Sequence, residues 1–179
     1  MKKLNQFVER IRKEMGPNYK VPNFDPKNGN ESARILIVLE APGAKAVKTG
    51  YISFDNPDQT AKNLREQLES AGIDRSEIAI WNIVPWYLGD GKKIKSAVVS
   101  DVNKGLKYLG KLVGILKGLE YIVLVGGAAR RAHIYLSHKT DVRILGCHHP
   151  SPKVVNNYPD MVEENILVFR KMKNAQQIA

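Results

Sequence analysis

"ARILIVLE", residues 33–40, is an apolar run from Ile35 to Leu39 that closes on a carboxylate, and its reading decides the fold. A strand with one wet face alternates apolar and polar residues; an unbroken run belongs to a strand buried on both faces. Three later stretches read the same way: "IAIWN" (78–82), "YIVLVGG" (121–127) and "VRILGC" (142–147). Helical patterns separate them. Strands alternating with helices imply parallel pairing and crossovers that cover both faces of the sheet. The expectation is an α/β fold, a three-layer α/β/α arrangement around a central four-stranded parallel sheet.

The helices carry their own punctuation. Leu4, Phe7, Val8, Ile11 and Met15 share one face of an N-terminal helix, followed by a Pro-, Asn- and Gly-rich arm expected to wrap over the surface. "APGAKAVKTGYISF" reads as a loop. A helix then starts near Pro57, capped by Asp55 or Asn56, and ends at Gly72, with Ala61, Leu64, Leu68 and Ala71 toward the core. A long helix over about 97–117 is expected to bury Val99, Val102, Leu106, Leu109, Val113 and Leu116. One helix is expected over Ala128–Ser137, and a last one over about 161–173 behind an Asp160/Glu163 capping box.

Charge is the strongest bulk signal. Lys and Arg number 28 against 18 Asp and Glu, a formal +10 with pI ≈ 9.7. That balance favours polyanions such as nucleic acid. No apolar stretch approaches the roughly 18–20 residues of a membrane span, and "MKKLNQFVER" lacks the apolar core of a signal peptide. Cys147 is the only cysteine, which rules out an internal disulfide and any four-cysteine metal or iron–sulfur site. The chain is expected to be one domain over 1–179, with 1–32 supplying the helix and arm. It is further expected to be monomeric, cytoplasmic, and without a cofactor, metal or membrane partner.

In such a sheet, ligands bind beyond the carboxyl ends of the strands. There the sequence sets Glu40-Ala41-Pro42-Gly43, Asn82, Gly126-Gly127 and His148-His149-Pro150-Ser151-Pro152. Four strand ends with polar or glycine chemistry point to one shared cleft.

These pieces resemble the uracil-DNA glycosylase superfamily. "LEAPG" (39–43) looks like its first motif, closest to the "GEAPG" form of the thermophilic, iron–sulfur branch. "KTGYISF" (48–54) resembles the stretch that follows there, with one extra residue before Phe54. Asn82 matches a strand-end asparagine, and "HPSP" (149–152) matches the second motif of the classical and single-strand-selective branches. The resemblance spans about Ala33 to Asn157 and implies a monofunctional glycosylase acting on DNA that carries uracil or a related deaminated base.

On that resemblance His149 would donate to O2 of the departing base. The Asn82 amide can pair with uracil N3–H and O4, Phe54 would stack on the flipped base, and Ala41 would border it. Val154 and Val155 would fill the vacated stack, with Ser151 and Lys153 near phosphates. Gly126-Gly127 and Arg130 form a generic phosphate site at a helix start. Lys92, Lys93 and Lys95 form a basic run that could touch the DNA backbone. His148, one residue off the strand's inward face, reads as structural.

The chain departs from the family where an Asp or Asn usually precedes the first-motif proline, since Ala41 stands there. Glu40 is then the carboxylate that would orient water, with Asp55 in reserve. Glu40 can serve only if the strand has already ended, because adjacent strand residues face opposite ways. Leu39 replaces the motif's leading glycine, and one cysteine cannot build the cluster of the "GEAPG" branch. Alternatives are a non-catalytic DNA- or base-binding member and a small nucleotide-processing enzyme.

Overall fold

A computed structural model describes residues 1–90 and 95–174. The chain runs through α1 (Lys2–Met15), β1 (Asn23–Phe24), β2 (Ile35–Leu39), α2 (Ala44–Thr49), β3 (Tyr51–Ile52) and α3 (Gln59–Ser70). It continues through β4 (Ile78–Asn82), α4 (Val99–Ile115), β5 (Tyr121–Val125), α5 (Gly126–Arg130) and α6 (His133–Ser137). β6 (Arg143–Cys147), α7 (Pro152–Asn157) and α8 (Pro159–Asn174) complete it.

The four apolar runs form one parallel sheet in the order β4-β2-β5-β6, as the sequence implies. Every residue from Ile35 to Val38 and from Tyr121 to Val125 is buried, which is why neither run alternates. Helices flank the sheet, with α3 packed on α8 and α1 on α4. β2 lies inside the sheet with β4 on one side and β5 on the other, so strand order reverses beside β2. Such a reversal opens a crevice at the carboxyl ends.

The N-terminal arm does more than wrap the surface. Its β1 pairs in parallel with β3, and Phe24 stacks on Trp81 with ring centroids 4.7 Å apart and planes 9° apart. Phe7 of α1 meets the same indole at 5.3 Å. Trp81 thus ties helix, arm and sheet edge together. The stretch expected to be a loop after β2 contains α2, closed by Gly50 in the left-handed region (φ 80).

Other boundaries differ for identifiable reasons. The α3 cap is Asp58, whose side chain accepts from the Ala61 N–H, not Asp55 or Asn56. On α4 the buried face is Val102, Gly105, Tyr108, Leu109 and Leu112, rotated from the expected one, and Val99 is exposed. Gly105 causes the rotation: a Cβ there would lie 1.8 Å from the Ile83 carbonyl oxygen, so the helix rests directly on that backbone. The expected Ala128–Ser137 helix is split into α5 and α6. The last helix begins at Pro159, so Asp160 lies in its first turn and does not cap it. Among the described residues no helix is long and apolar enough to cross a membrane.

Candidate active site

A cleft of ≈ 480 Å³ opens at the carboxyl end of the sheet, and Glu40, Ala41, Phe54, Asn82 and His149 all line it. These come from four separated segments, gathered because parallel strands end on one edge. Backbone bonds fix the junction: the N–H groups of Ile83 and Val84 donate to the carbonyls of Leu39 and Glu40 at 2.8 and 3.0 Å.

β2 ends at Leu39, which frees Glu40 from strand alternation, and its side chain reaches the cleft. The carboxylate is already engaged. Glu40 Oε1 accepts the Ala97 N–H at 2.7 Å, tethering the stretch that enters α4. Lys95 and Ser96, just before that tether, line the cleft as well. Lys92 and Lys93 lie outside the described residues.

Asn82 closes β4 on the same face as Ile80, another lining residue, while Trp81 between them turns to the opposite face. Its side chain is buried, and Oδ1 has no hydrogen-bond partner among the described residues. Buried polar atoms are almost always paired, so this acceptor at the head of the cleft stands out among the residues that line it.

Phe54 is buried at 4% exposure, with the Arg75 guanidinium carbon 5.7 Å from its ring centroid. Arg75 in turn donates to Asp25 Oδ2 at 2.6 Å and Asp55 Oδ2 at 3.1 Å, and Ser53 Oγ donates to Asp25. The arm therefore braces the aromatic wall. Asp55 does not line the cleft; Lys27 (3.0 Å) and Arg75 hold it and lower its pKa, which removes it as a reserve base.

His149 lines the cleft, and burial lowers its imidazole pKa, with the Glu40 charge partly opposing. Its ring lies against Gly126, where a Cβ would fall 3.2 Å from both His149 Cβ and Cδ2. Gly126 adopts φ 81, a conformation that glycine tolerates. His148 turns away: its Nε2 pairs with Glu164 Oε2 at 2.7 Å on α8.

The residues assigned to DNA contact lie outside the cleft. Ser151 stands at the N-cap position of α7, and Lys153 is exposed on that helix while Val154 and Val155 are half-buried. Gly127 is exposed, and it is Gly126 that makes the close approach to His149. α5 has only five residues, too short to present the expected helix-start phosphate site; Arg130 at its end lies along β6, against Gly146. Sequence reading missed Asn63, Gln67 and Asn165, three buried amides behind the cleft, the first two spaced i, i+4 on the core face of α3. That spacing of polar residues on a buried face was the available signal.

A model of the uracil DNA glycosylase superfamily matches residues 26–171, and the chain belongs to that superfamily. No curated protein matches it. Among solved structures, the solution structure of a candidate uracil DNA glycosylase from Methanosarcina acetivorans shares the fold. The TM-score is 0.60 at 14% identity, over 87% of this chain and 99% of that one.

Proposed function

We propose that this protein is a monofunctional DNA glycosylase that accepts a flipped uracil, or a related deaminated base, in the cleft and hydrolyses its N-glycosidic bond. The observation that carries the reading is the orphaned Asn82 Oδ1, buried in the same cleft as an imidazole. An acceptor without a partner, beside the amide's own N–H donors, complements the N3–H and O4 of uracil. Cytosine, with an acceptor at N3 and a donor at N4, leaves that acceptor unpaired.

In this reading Phe54 stacks on the extruded base, and Ala41 leaves room at its edge. As the C1′–N1 bond breaks, its electron pair moves onto the base, and His149 stabilises the anion at O2 by donating a hydrogen bond. Water adds to C1′ and releases a proton to solvent, leaving an abasic site. Glu40 offsets the positive charge on the sugar. The net charge of +10 suits the phosphate backbone, with Ser151 and Lys153 as contacts and Val154 and Val155 beside the vacated stack.

A duplex oligonucleotide with one deoxyuridine, treated with alkali after incubation, tests this directly. Strand scission at the uracil position supports it; intact strands with uracil, hypoxanthine and G·T substrates overturn it. One observation favours the alternative of a non-catalytic, base-binding member: Glu40 already spends its Oε1 on Ala97, and Ala41 offers no carboxylate. Salt-dependent DNA binding without base release would select that alternative.

A further inference from the structure

The two amides Asn63 and Asn165, with Gln67 behind them, hold the backbone on both sides of His149, and we infer that they are positioning residues for its imidazole. The inference rests on the reading of His149 given above. Asn63 Nδ2 donates to the Pro150 carbonyl at 2.9 Å. Asn165 Oδ1 accepts the His148 N–H at 2.7 Å, and its Nδ2 donates to the His148 carbonyl at 3.0 Å. The same Nδ2 donates to Gln67 Oε1 at 3.0 Å, which fixes the amide's orientation, and Gln59 Nε2 donates to Asn63 Oδ1 at 2.7 Å to do likewise.

These bonds act on the peptide unit that enters His149 and on the one that leaves Pro150. The His148 carbonyl belongs to the plane entering His149, and the Pro150 carbonyl to the plane leaving Pro150. Proline fixes its own φ and restricts ψ of the residue before it. With both planes pinned and the proline between them, the Cα–Cβ direction of His149 is set. Gly126 then limits the ring from the far side, a Cβ there falling 3.2 Å from His149 Cδ2. A hydrogen-bond donor must be fixed before charge develops on its partner, and that is what this seat provides.

Placement argues against a role at the substrate. Asn63, Gln67 and Asn165 are 5%, 3% and 2% exposed, and none lines the cleft. They sit on α3 and α8, two helices that pack together, with α8 also against β6. Apolar residues there would pack the helix pair but leave the loop carbonyls unpaired. The amides use the rigid helix pair as a frame for a loop, the way a reactive group is best supported.

The test uses Asn63→Leu and Gln67→Leu, each in the wild-type and His149→Ala backgrounds, on the deoxyuridine duplex under single-turnover conditions. Asn63→Leu removes the bond to Pro150; Gln67→Leu, one heavy atom shorter and apolar, frees the Asn165 amide and spares its contacts to His148. In the wild-type background the rate of base release falls about tenfold or more, the scale of a sub-ångström displacement, while DNA affinity stays within about twofold. In His149→Ala neither substitution lowers the rate further. Equal losses in both backgrounds, or no loss in folded variants, overturns the inference. If the wild-type protein releases no base, the glycosylase reading fails separately. The inference is then decided by the His149 ring resonances in ¹H–¹⁵N spectra, identified by their loss in His149→Ala. Shifted or broadened signals in both variants support it, and unchanged signals overturn it.

Discussion

The His149 imidazole rests on the backbone of Gly126, where φ is 81 and a Cβ would lie 3.2 Å from His149 Cβ and Cδ2. Both the left-handed backbone and the close contact disfavour a side chain. Gly126→Ala is expected to cost about 1–2 kcal/mol of stability from backbone strain alone. It should also lower base release by displacing the ring. Gly127→Ala supplies the contrast: nothing lies within 4 Å of its would-be Cβ, and the residue is helical and exposed. That change should be neutral or stabilising by about 0.5–1 kcal/mol. Urea denaturation of the two variants checks the difference.

Asn82 sets stability against recognition. Its Oδ1 is buried without a partner among the described residues, so the unliganded fold bears a desolvation penalty. Asn82→Leu, which keeps the branching and heavy-atom count, should raise stability by about 1 kcal/mol. Base release should fall by about a hundredfold or more, since the polar edge of the base then meets a hydrocarbon. A variant both more stable and inactive is the expected result. Lower stability on denaturation would show that the amide is satisfied in the unliganded protein.

What could be read from sequence follows physical lines. Runs such as Ile35–Leu39 and Tyr121–Val125 were legible because burial on both faces abolishes alternation. The strand ends then collected the site, and Glu40, Ala41, Phe54, Asn82 and His149 share one cleft. The α4 face was misjudged because Gly105, counted as nothing in an apolar pattern, is the point of closest approach. α7 was missed although Ser151-Pro152 is an ordinary helix start, with proline at the first position. The spacing of Asn63 and Gln67 hinted at buried amides, but what they and Asn165 hold could not be read. Their partners include a backbone carbonyl 87 residues away and an amide on another helix 98 residues away, and no local pattern announces those.

Cys147 ends β6 buried, and burial pushes its thiol up to about 12, with the Arg130 charge opposing only in part. The thiol should therefore ignore an aromatic disulfide reagent at neutral pH and react fully once denaturant unfolds the chain. The linkage runs to alkaline pH. An unfolded thiol ionises near about 8.5, while the folded one stays protonated, so the unfolded state binds fewer protons above that pH. Stability should decline from about pH 8.5 upward, and Cys147→Ala should decline less over the same range. Rapid labelling of the folded protein would contradict this burial.

His149 carries the opposite sign. Burial lowers its pKa below the usual value of about 6.5, so the unfolded chain takes up a proton that the folded ring refuses. Stability contributed by the neutral ring is complete above about pH 6.5 and is lost as the pH falls from there toward the folded pKa. Glu40 works against the shift, since its charge favours the imidazolium. Glu40→Gln removes that charge and can still accept from the Ala97 N–H, so the His149 pKa should fall further while the tether survives. Base release should then slow at neutral pH if the Glu40 charge offsets the sugar cation, and its acid limb should move to lower pH. A ¹⁵N titration of His149 in both proteins, beside the pH dependence of single-turnover rates, measures the two effects separately. A His149 pKa that rises in Glu40→Gln would reverse the electrostatic relation between these two side chains.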